Sequence, residues 1–127
     1  MPTFVKSERL CSTLAINSLF KEGYVVYKYP VKLKWIPANW DDHLKVKVVI
    51  SVSKHRFKRA VDRNRIKRLL RECFRLHKFI LEDELKSRKC YLGIIYTGNE
   101  IPEKGVLEPI IIDLFHRLIK DYEKIAG

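Results

Sequence analysis

Long hydrophobic runs are missing from this 127-residue sequence. Its most apolar stretches, such as Val48-Val49-Ile50 and Pro109-Ile110-Ile111-Ile112, are far shorter than the roughly 20 residues that a membrane-spanning helix needs. Residues 1–10 also lack an apolar stretch as long as that of a secretory signal. We therefore predict a protein without a membrane span that stays in the cytoplasm.

Cysteine is scarce as well. Cys11, Cys73 and Cys90 are odd in number and widely spaced, which excludes a disulfide framework and a paired zinc motif. We expect three reduced thiols, mostly buried. His77 follows Cys73 by four residues, a spacing that allows metal binding on a helix, but no further ligand lies nearby in sequence. We predict no metal bound by the protein.

Motifs of protein-based catalysis are also missing. Apart from His77, the histidines are scattered at His43, His55 and His116, and none lies in a recognised motif with a nucleophile. The acidic residues form no Asp-x-Asp or His-x-Glu pattern. Because a catalytic site needs such groups in combination, the sequence predicts no catalytic residue in the protein.

Acidic residues are few, with 15 Asp and Glu against 26 Lys and Arg and a formal net charge of +11. The excess is concentrated in residues 54–78, where eleven basic residues face two acidic ones, so this segment carries nine of the eleven net charges. This balance favours a polyanionic partner, either nucleic acid or an acidic membrane surface. A basic protein without such a partner is the plainer alternative.

The basic residues of this segment recur with a helical spacing. Arg63, Lys67, Arg71 and Arg75 are four residues apart, and like charges at that spacing repel by roughly a few tenths of a kcal/mol per pair. A polyanion explains this cost better than a solvated helix face does, and the planar fork of arginine suits phosphate. Asn64 either donates to a phosphate or a base edge, or caps the start of the helix.

Hydrophobic periodicity predicts a single α+β domain over residues 1–127. The predicted order is helix, three strands, helix, strand, helix. The predicted elements are a helix at 12–22 that stops at Gly23, strands at 24–27, 31–36 and 44–52, a helix from 60 to about 81, a strand at 91–96, and a final helix with Pro109 in its first turn. A turn at 37–42 and a loop at 97–105 separate them, and Trp40 in the turn is predicted to be a packing residue.

One stretch closely resembles a known family. Ser51-Val52-Ser53-Lys54, the later triplet Arg63-Asn64-Arg65 and the following Ile66-Lys67-Arg68 are similar to the motif of ribonuclease P proteins. Phe20-Lys21-Glu22-Gly23 resembles the end of that family's first helix. The resemblance implies an α-β-β-β-α-β-α sandwich of the ribosomal protein S5 domain 2 type, with a left-handed βαβ crossover. General rules alone would predict a right-handed crossover.

The resemblance also implies a function. Family proteins partner a large catalytic RNA, and together they remove the 5′ leader of precursor tRNA. Mg²⁺ is then bound mainly by the RNA, and one monomeric protein joins one RNA. The resemblance assigns RNA contacts to Lys54, Arg63, Asn64, Arg65, Lys67, Arg68 and Arg71, and the charge pattern adds Arg56, Arg59 and Arg75.

The family's leader cleft, between the first helix and the sheet, aligns with Ile16, Phe20 and Lys34, of which only Phe20 keeps an aromatic ring. Tyr29 or Trp35 is a candidate replacement, unless these side chains belong to the core. The loop at 55–59 departs from the family's shorter glycine-containing turn. Alternatives that stay open are a general or ribosomal RNA-binding protein, a duplex-DNA binder and, more remotely, a self-sufficient nuclease.

Overall fold

The fold was analysed in a computed structural model that describes residues 12–40, 44–86 and 88–126. Three helices and four strands follow one another in the predicted order. They are α1 (Thr13–Glu22), β1 (Tyr24–Lys28), β2 (Val31–Ala38), β3 (Val46–Val52), α2 (Ala60–Leu85), β4 (Lys89–Tyr96) and α3 (Lys104–Ala126). Within the described ranges, no helix is both long enough and apolar enough to cross a membrane.

The four strands form one mixed sheet in the order β1-β2-β4-β3. β1 and β4 both pair antiparallel with β2, whereas β3 and β4 are parallel and are joined through α2. This confirms the predicted α+β class and the parallel pair that a βαβ unit requires. The left hand of the crossover stays a prediction from the family resemblance.

The main core lies on one face of the sheet. Alternate residues of β4, among them Cys90, Leu92 and Ile94, are fully buried, as the period of two in a strand requires. They belong to one cluster with the apolar sides of α2 and α3, which pack against each other and against the sheet. Trp35 of β2 lies in this cluster, stacked on Tyr122 of α3 with ring centroids 5.0 Å apart.

α1 packs on the opposite face, over β2 and β4. Its buried side chain is Leu19, and the facing position in β4 is Gly93, where an added Cβ would lie 3.3 Å from Leu19 Cδ2. The helix begins at Ser12, whose hydroxyl accepts from the Ala15 N–H at 3.3 Å. It ends at Gly23, where a side chain would overlap the Leu19 carbonyl oxygen. Both predicted ends of this helix are therefore confirmed.

The predicted ends of α2 and β2 were wrong, whereas the predicted start of β2 at Val31 is confirmed. α2 continues past residue 81 to Leu85, because Leu81 and Leu85 are both buried on its inner side. β2 runs through Pro37 to Ala38, where a turn was predicted. Pro37 is tolerated because β2 extends beyond β1 there and pairs only with β4, so one side of the strand needs no N–H.

Pro109 lies inside α3 and not in its first turn, because the helix already begins at Lys104. The earlier start is fixed by Leu107, which is fully buried, and by Glu103, whose carbonyl accepts from the Leu107 N–H at 3.2 Å. A proline removes the bond to the carbonyl four residues earlier, here that of Gly105. Gly105 is exposed, so water can serve that carbonyl. The loop predicted at 97–105 is therefore shorter, because α3 begins at Lys104. A separate correction concerns β3, which begins at Val46 and not at 44.

Candidate nucleic-acid interface

Burial of one side of α2 determines which residues face outward. Ile66, Leu70, Cys73 and Phe74 are fully buried, and the Phe74 ring meets Phe115 of α3 edge to face at 6.4 Å. Because these positions recur every three or four residues, the positions between them form an opposite, solvent-facing side. The arginines of the triplet motif are distributed between these two sides.

The outward side carries cations that the protein does not neutralise. Asn64, Arg65 and Arg68 are exposed, and Lys67 is half-buried. With the described residues, none of these four side chains forms an ion pair or a hydrogen bond. The loop before the helix adds Lys54 and Arg59. Both are exposed, and their side chains likewise form no ion pair or hydrogen bond with the described residues. We call the surface formed by Lys54, Arg59, Asn64, Arg65, Lys67 and Arg68 the basic face.

Asn64 is not a helix cap. The N-cap of α2 is Arg59, which makes no side-chain capping bond, and Asn64 lies in the second turn. The capping alternative is therefore wrong, and the exposed amide of Asn64 remains open to a ligand.

Arg63 has a structural role that the sequence did not reveal. It is half-buried, and its Nη1 donates to the carbonyl oxygens of Phe57 and Lys58 at 2.8 and 3.0 Å. Phe57 itself is buried with its ring 6.1 Å from that of Tyr96. Arg63 therefore binds the backbone of the loop that carries Lys54 and Arg59, and this contact helps to fix the position of that loop.

Arg56 is also held within the protein. Its Nη1 donates to the Thr97 carbonyl oxygen and lies 3.4 Å from Asn99 Oδ1. Ser53 shapes the turn, since its hydroxyl accepts from the backbone N–H groups of His55 and Arg56 at 3.1 and 3.3 Å. Arg56 thus joins the loop before α2 to the loop after β4, and its guanidinium is less open to phosphate than predicted.

Arg75 is paired with an acid one turn away. Its Nε donates to Glu72 Oε2 at 3.0 Å, and its Nη2 contacts the other carboxylate oxygen. The hydrogen bond from Arg75 holds the pKa of Glu72 below its ordinary value, and the same bond raises the pKa of Arg75. Lys104 of α3 lies 4.0 Å from Glu72. The Arg75 charge is therefore largely balanced, so Arg75 is not part of the basic face. Arg71, one turn earlier in the helix, is half-buried.

Replacing Glu72 with glutamine is expected to strengthen RNA binding a few-fold at low salt, because it removes the carboxylate that balances Arg75, whereas Lys104 keeps Glu108 at 3.9 Å. Stability falls slightly, since the lowered Glu72 pKa contributes stability above the unfolded value near 4.5 that is lost on acidification. The measurement is RNA affinity by filter binding, with Asp121→Asn on α3 as a charge-matched control. An equal gain in both variants would show a general charge effect and contradict a local one.

Two of the three leader-cleft positions are brought together. Lys34 Nζ donates to the Phe20 carbonyl oxygen at 2.7 Å and lies 5.7 Å from the centroid of the Phe20 ring. Ile16 is half-buried on the same helix. Lys34 thereby binds a carbonyl in the last turn of α1, where a cation is favoured.

The other aromatic candidates are divided by burial. Trp35 is fully buried and cannot stack on a base, whereas Tyr29 is 58% exposed in the turn between β1 and β2. Trp40 stacks on Tyr91 at 5.3 Å, and its Nε1 donates to the Leu44 carbonyl oxygen at 2.8 Å. The prediction of Trp40 as a packing residue is confirmed.

The cysteines give no reactive site among the described residues. Cys73 and Cys90 are free and buried, as predicted, and Cys11 lies outside the described ranges. Burial raises the pKa of the Cys73 thiol to about 11 and that of Cys90 to about 12.

His77 Nε2 lies 3.1 Å from Glu108 Oε2. No three metal-ligating side chains come together within the described ranges, whereas His43 falls outside them.

Comparison with known proteins identifies the family. The family model described as Ribonuclease P matches residues 4–103 of the chain. The chain belongs to the ribonuclease P protein family. It is similar to the ribonuclease P protein component of Porphyromonas gingivalis, with 39% identity over 111 residues that cover 84% of this chain and 81% of the relative. The component of Chlorobaculum tepidum is 51% identical over 73 residues, which cover 53% of this chain and 46% of the relative.

Solved ribonuclease P proteins share the fold. The protein from Thermotoga maritima aligns with a TM-score of 0.69 at 20% identity and covers 86% of this chain and 96% of its own. The protein from Staphylococcus aureus aligns with a TM-score of 0.62 at 24% identity, and the alignment covers 92% of this chain and 96% of that protein. At these identities the likeness concerns the fold alone, and it agrees with the element order described above.

Proposed function

We propose that this chain is the protein subunit of a ribonuclease P, in which a partner RNA carries out cleavage and the protein binds RNA. Membership of the ribonuclease P protein family supports this role. The single observation that carries it is the basic face, whose Arg65 and Arg68 are exposed and unpaired among the described residues. Cations displayed in this way suit the closely spaced phosphates of RNA.

The second proposed ligand is precursor tRNA. The basic face neutralises phosphates, while Phe20 at the end of α1 offers a ring to a base of the single-stranded leader. We propose that one monomeric protein joins one RNA, and that the complex acts in the cytoplasm, where precursor tRNA is made.

Mg²⁺ is proposed to reside mainly on the RNA. The basic face does not fit a divalent cation, because guanidinium and ammonium groups repel it and supply no oxygen ligand. Glu72, one of the two carboxylates in residues 54–78, is already bound by Arg75. The protein's part is therefore to bind and position RNA.

The test is reconstitution with the catalytic RNA of the same organism, scored by cleavage of precursor tRNA at low Mg²⁺. The protein is expected to stimulate release of the leader, and protein with Mg²⁺ alone is expected to cut nothing. RNA binding without any stimulation would instead support a general or ribosomal RNA-binding protein.

Replacing Phe20 with alanine is expected to weaken binding of leader-bearing precursor tRNA by about 5- to 150-fold, because base stacking on an aromatic ring contributes ~1–3 kcal/mol. The measurement compares the affinities of the reconstituted complex for precursor tRNA and for mature tRNA. The difference between the two should shrink in Phe20→Ala and persist in Phe20→Tyr. Equal weakening for both tRNAs would mean that Phe20 acts only by packing α1.

A further inference from the structure

A cleft at one end of the sheet has no part in the function proposed so far. It is about 660 Å³ in volume and lies between the β1–β2 turn, the loop after β4 and the first turns of α3. Its lining includes Tyr29, Ile101, Pro102 and Val106. The carboxyl ends of the parallel strands β3 and β4 point to this end, and the loop that leads into α2 starts beside it.

The loop that borders the cleft is held by several bonds. The Thr97 N–H donates to the Pro30 carbonyl oxygen at 2.7 Å, and the Tyr96 hydroxyl donates to the Glu100 carbonyl oxygen at 2.6 Å. Gly98 permits this closure, since a Cβ there would lie 2.5 Å from the Tyr96 hydroxyl oxygen. A cleft whose border is fixed before a ligand arrives loses little entropy on binding.

The walls of the cleft expose apolar and aromatic surface. Tyr29 is 58% exposed and Val106 is 52% exposed, whereas Ile101 and Pro102 are half-buried. A flat ring and aliphatic side chains that line one cleft suit a planar, partly apolar ligand.

Two carboxylates line the cleft, and one arginine is bonded to the loop that borders it. Glu100 and Glu103 contribute carboxylates that form no ion pair with any described residue. Arg56 contacts Thr97 and Asn99, and Asn99 also lines the cleft. Arg56 belongs to the same loop as Lys54 and Arg59, so a loop that carries part of the basic face is bonded to the loop that lines the cleft.

We propose that this cleft binds one unpaired nucleobase of an RNA strand whose phosphates lie on the basic face. The inference rests on the proposed function and adds a base-binding position to it. Tyr29 stacks on the base, and the carboxylates of Glu100 and Glu103 accept hydrogen bonds from its exocyclic amine. Cytosine, adenine and guanine carry such an amine and uracil does not, so the cleft discriminates against uracil.

Titration of the ¹⁵N-labelled protein with CMP and, separately, with UMP tests the cleft directly. CMP is expected to shift the backbone amide signals of Asn99, Glu100 and Ile101 in a saturable way, and UMP is expected to bind at least several-fold more weakly. The double variant Glu100→Gln with Glu103→Gln should reduce the preference for CMP over UMP. Shifts confined to the basic face, or equal binding of both nucleotides, would overturn the proposal.

Variants of Tyr29 test the cleft in the assembled complex. Tyr29→Ala is expected to lower the affinity for the RNA that supplies the base by about 5- to 150-fold, and Tyr29→Phe should retain that affinity. Tyr27→Ala is the matched control, because Tyr27 is 49% exposed on β1 but does not line the cleft. Loss of affinity for the catalytic RNA alone assigns the base to that RNA, and loss only for leader-bearing precursor tRNA assigns it to the leader.

The two proposals fail in different ways. If wild-type protein stimulates cleavage and Tyr29→Ala binds both RNAs normally, the nucleobase cleft is wrong and the subunit role stands. If the wild-type protein neither binds the catalytic RNA nor stimulates cleavage, the subunit role itself fails.

Discussion

Replacing Arg65 and Arg68 together with alanine is expected to weaken binding of the catalytic RNA by about 100-fold, while the protein stays folded. Both side chains are exposed and make no ion pair or hydrogen bond with the described residues, so their removal leaves no buried group unsatisfied. A hydrogen bond from a charged donor contributes ~1.5–3 kcal/mol, and each 1.4 kcal/mol changes affinity about tenfold. The measurement is the Kd for the catalytic RNA, with cleavage of precursor tRNA at limiting protein.

The matched control removes two lysines from α3. Lys120 and Lys124 are also exposed, and Lys120→Ala with Lys124→Ala lowers the net charge by the same two units. The control is expected to change RNA affinity only a few-fold, through the general field of the protein. Equal losses in the two double variants would mean that net charge matters and the position of the arginines does not.

Replacing Phe74 with alanine is expected to cost ~3–5 kcal/mol of unfolding free energy, the usual range for a large aromatic side chain lost from a core. Phe74 is fully buried between the sheet and α3, where its ring meets Phe115. Since a domain of this size is stabilised by only about 5–15 kcal/mol, the loss removes much of the total. RNA binding should then fall because the folded population falls. Denaturant unfolding followed by circular dichroism measures the change.

Phe79 provides the control for this substitution. It lies in the same helix but is 54% exposed, so Phe79→Ala is expected to change the unfolding free energy by no more than about 0.5 kcal/mol. A similar loss in both variants would contradict the assignment of Phe74 to the core and Phe79 to the surface.

The sequence predicted the elements well where one periodicity dominated. In β2, Val31, Leu33 and Trp35 alternate with basic residues, and all three are buried in the structure. In α2, the apolar positions from Ile66 onward indicated the inner side correctly. The outward position of Arg65 and Arg68 follows from the same spacing. The main part of the candidate site was therefore predictable, because it is the complement of the core pattern.

The end of α2 depended on residues that are distant in sequence. Glu82, Asp83 and Glu84 oppose the helix dipole at the carboxyl end, so the local sequence does not favour the last turn. In the structure, Lys45 Nζ donates to the Glu82 carbonyl oxygen at 2.6 Å, and Arg88 Nε donates to that of Leu85 at 3.2 Å. These bonds from outside the helix satisfy its last carbonyls, and a local pattern contains no sign of them.

The individual roles of the arginines were also unpredictable. Arg56, Arg63 and Arg75 resemble the other basic residues in composition and spacing, but each bonds to a particular carbonyl or carboxylate. Only the folded chain brings Thr97 close to Arg56, which precedes it by 41 residues. The cleft beside Tyr29 has the same origin, since its walls come from β1, the loop after β4 and α3.

The salt dependence of RNA binding tests the central claim most directly, because it counts the phosphates that the basic face neutralises. For the wild-type protein, log Kobs should fall linearly with log salt concentration, with a slope of roughly 0.7–0.9 per phosphate contacted. In Arg65→Ala with Arg68→Ala, the slope should be shallower by about 1–2 units. A slope identical to that of the wild type would contradict the assignment of these arginines to RNA phosphate.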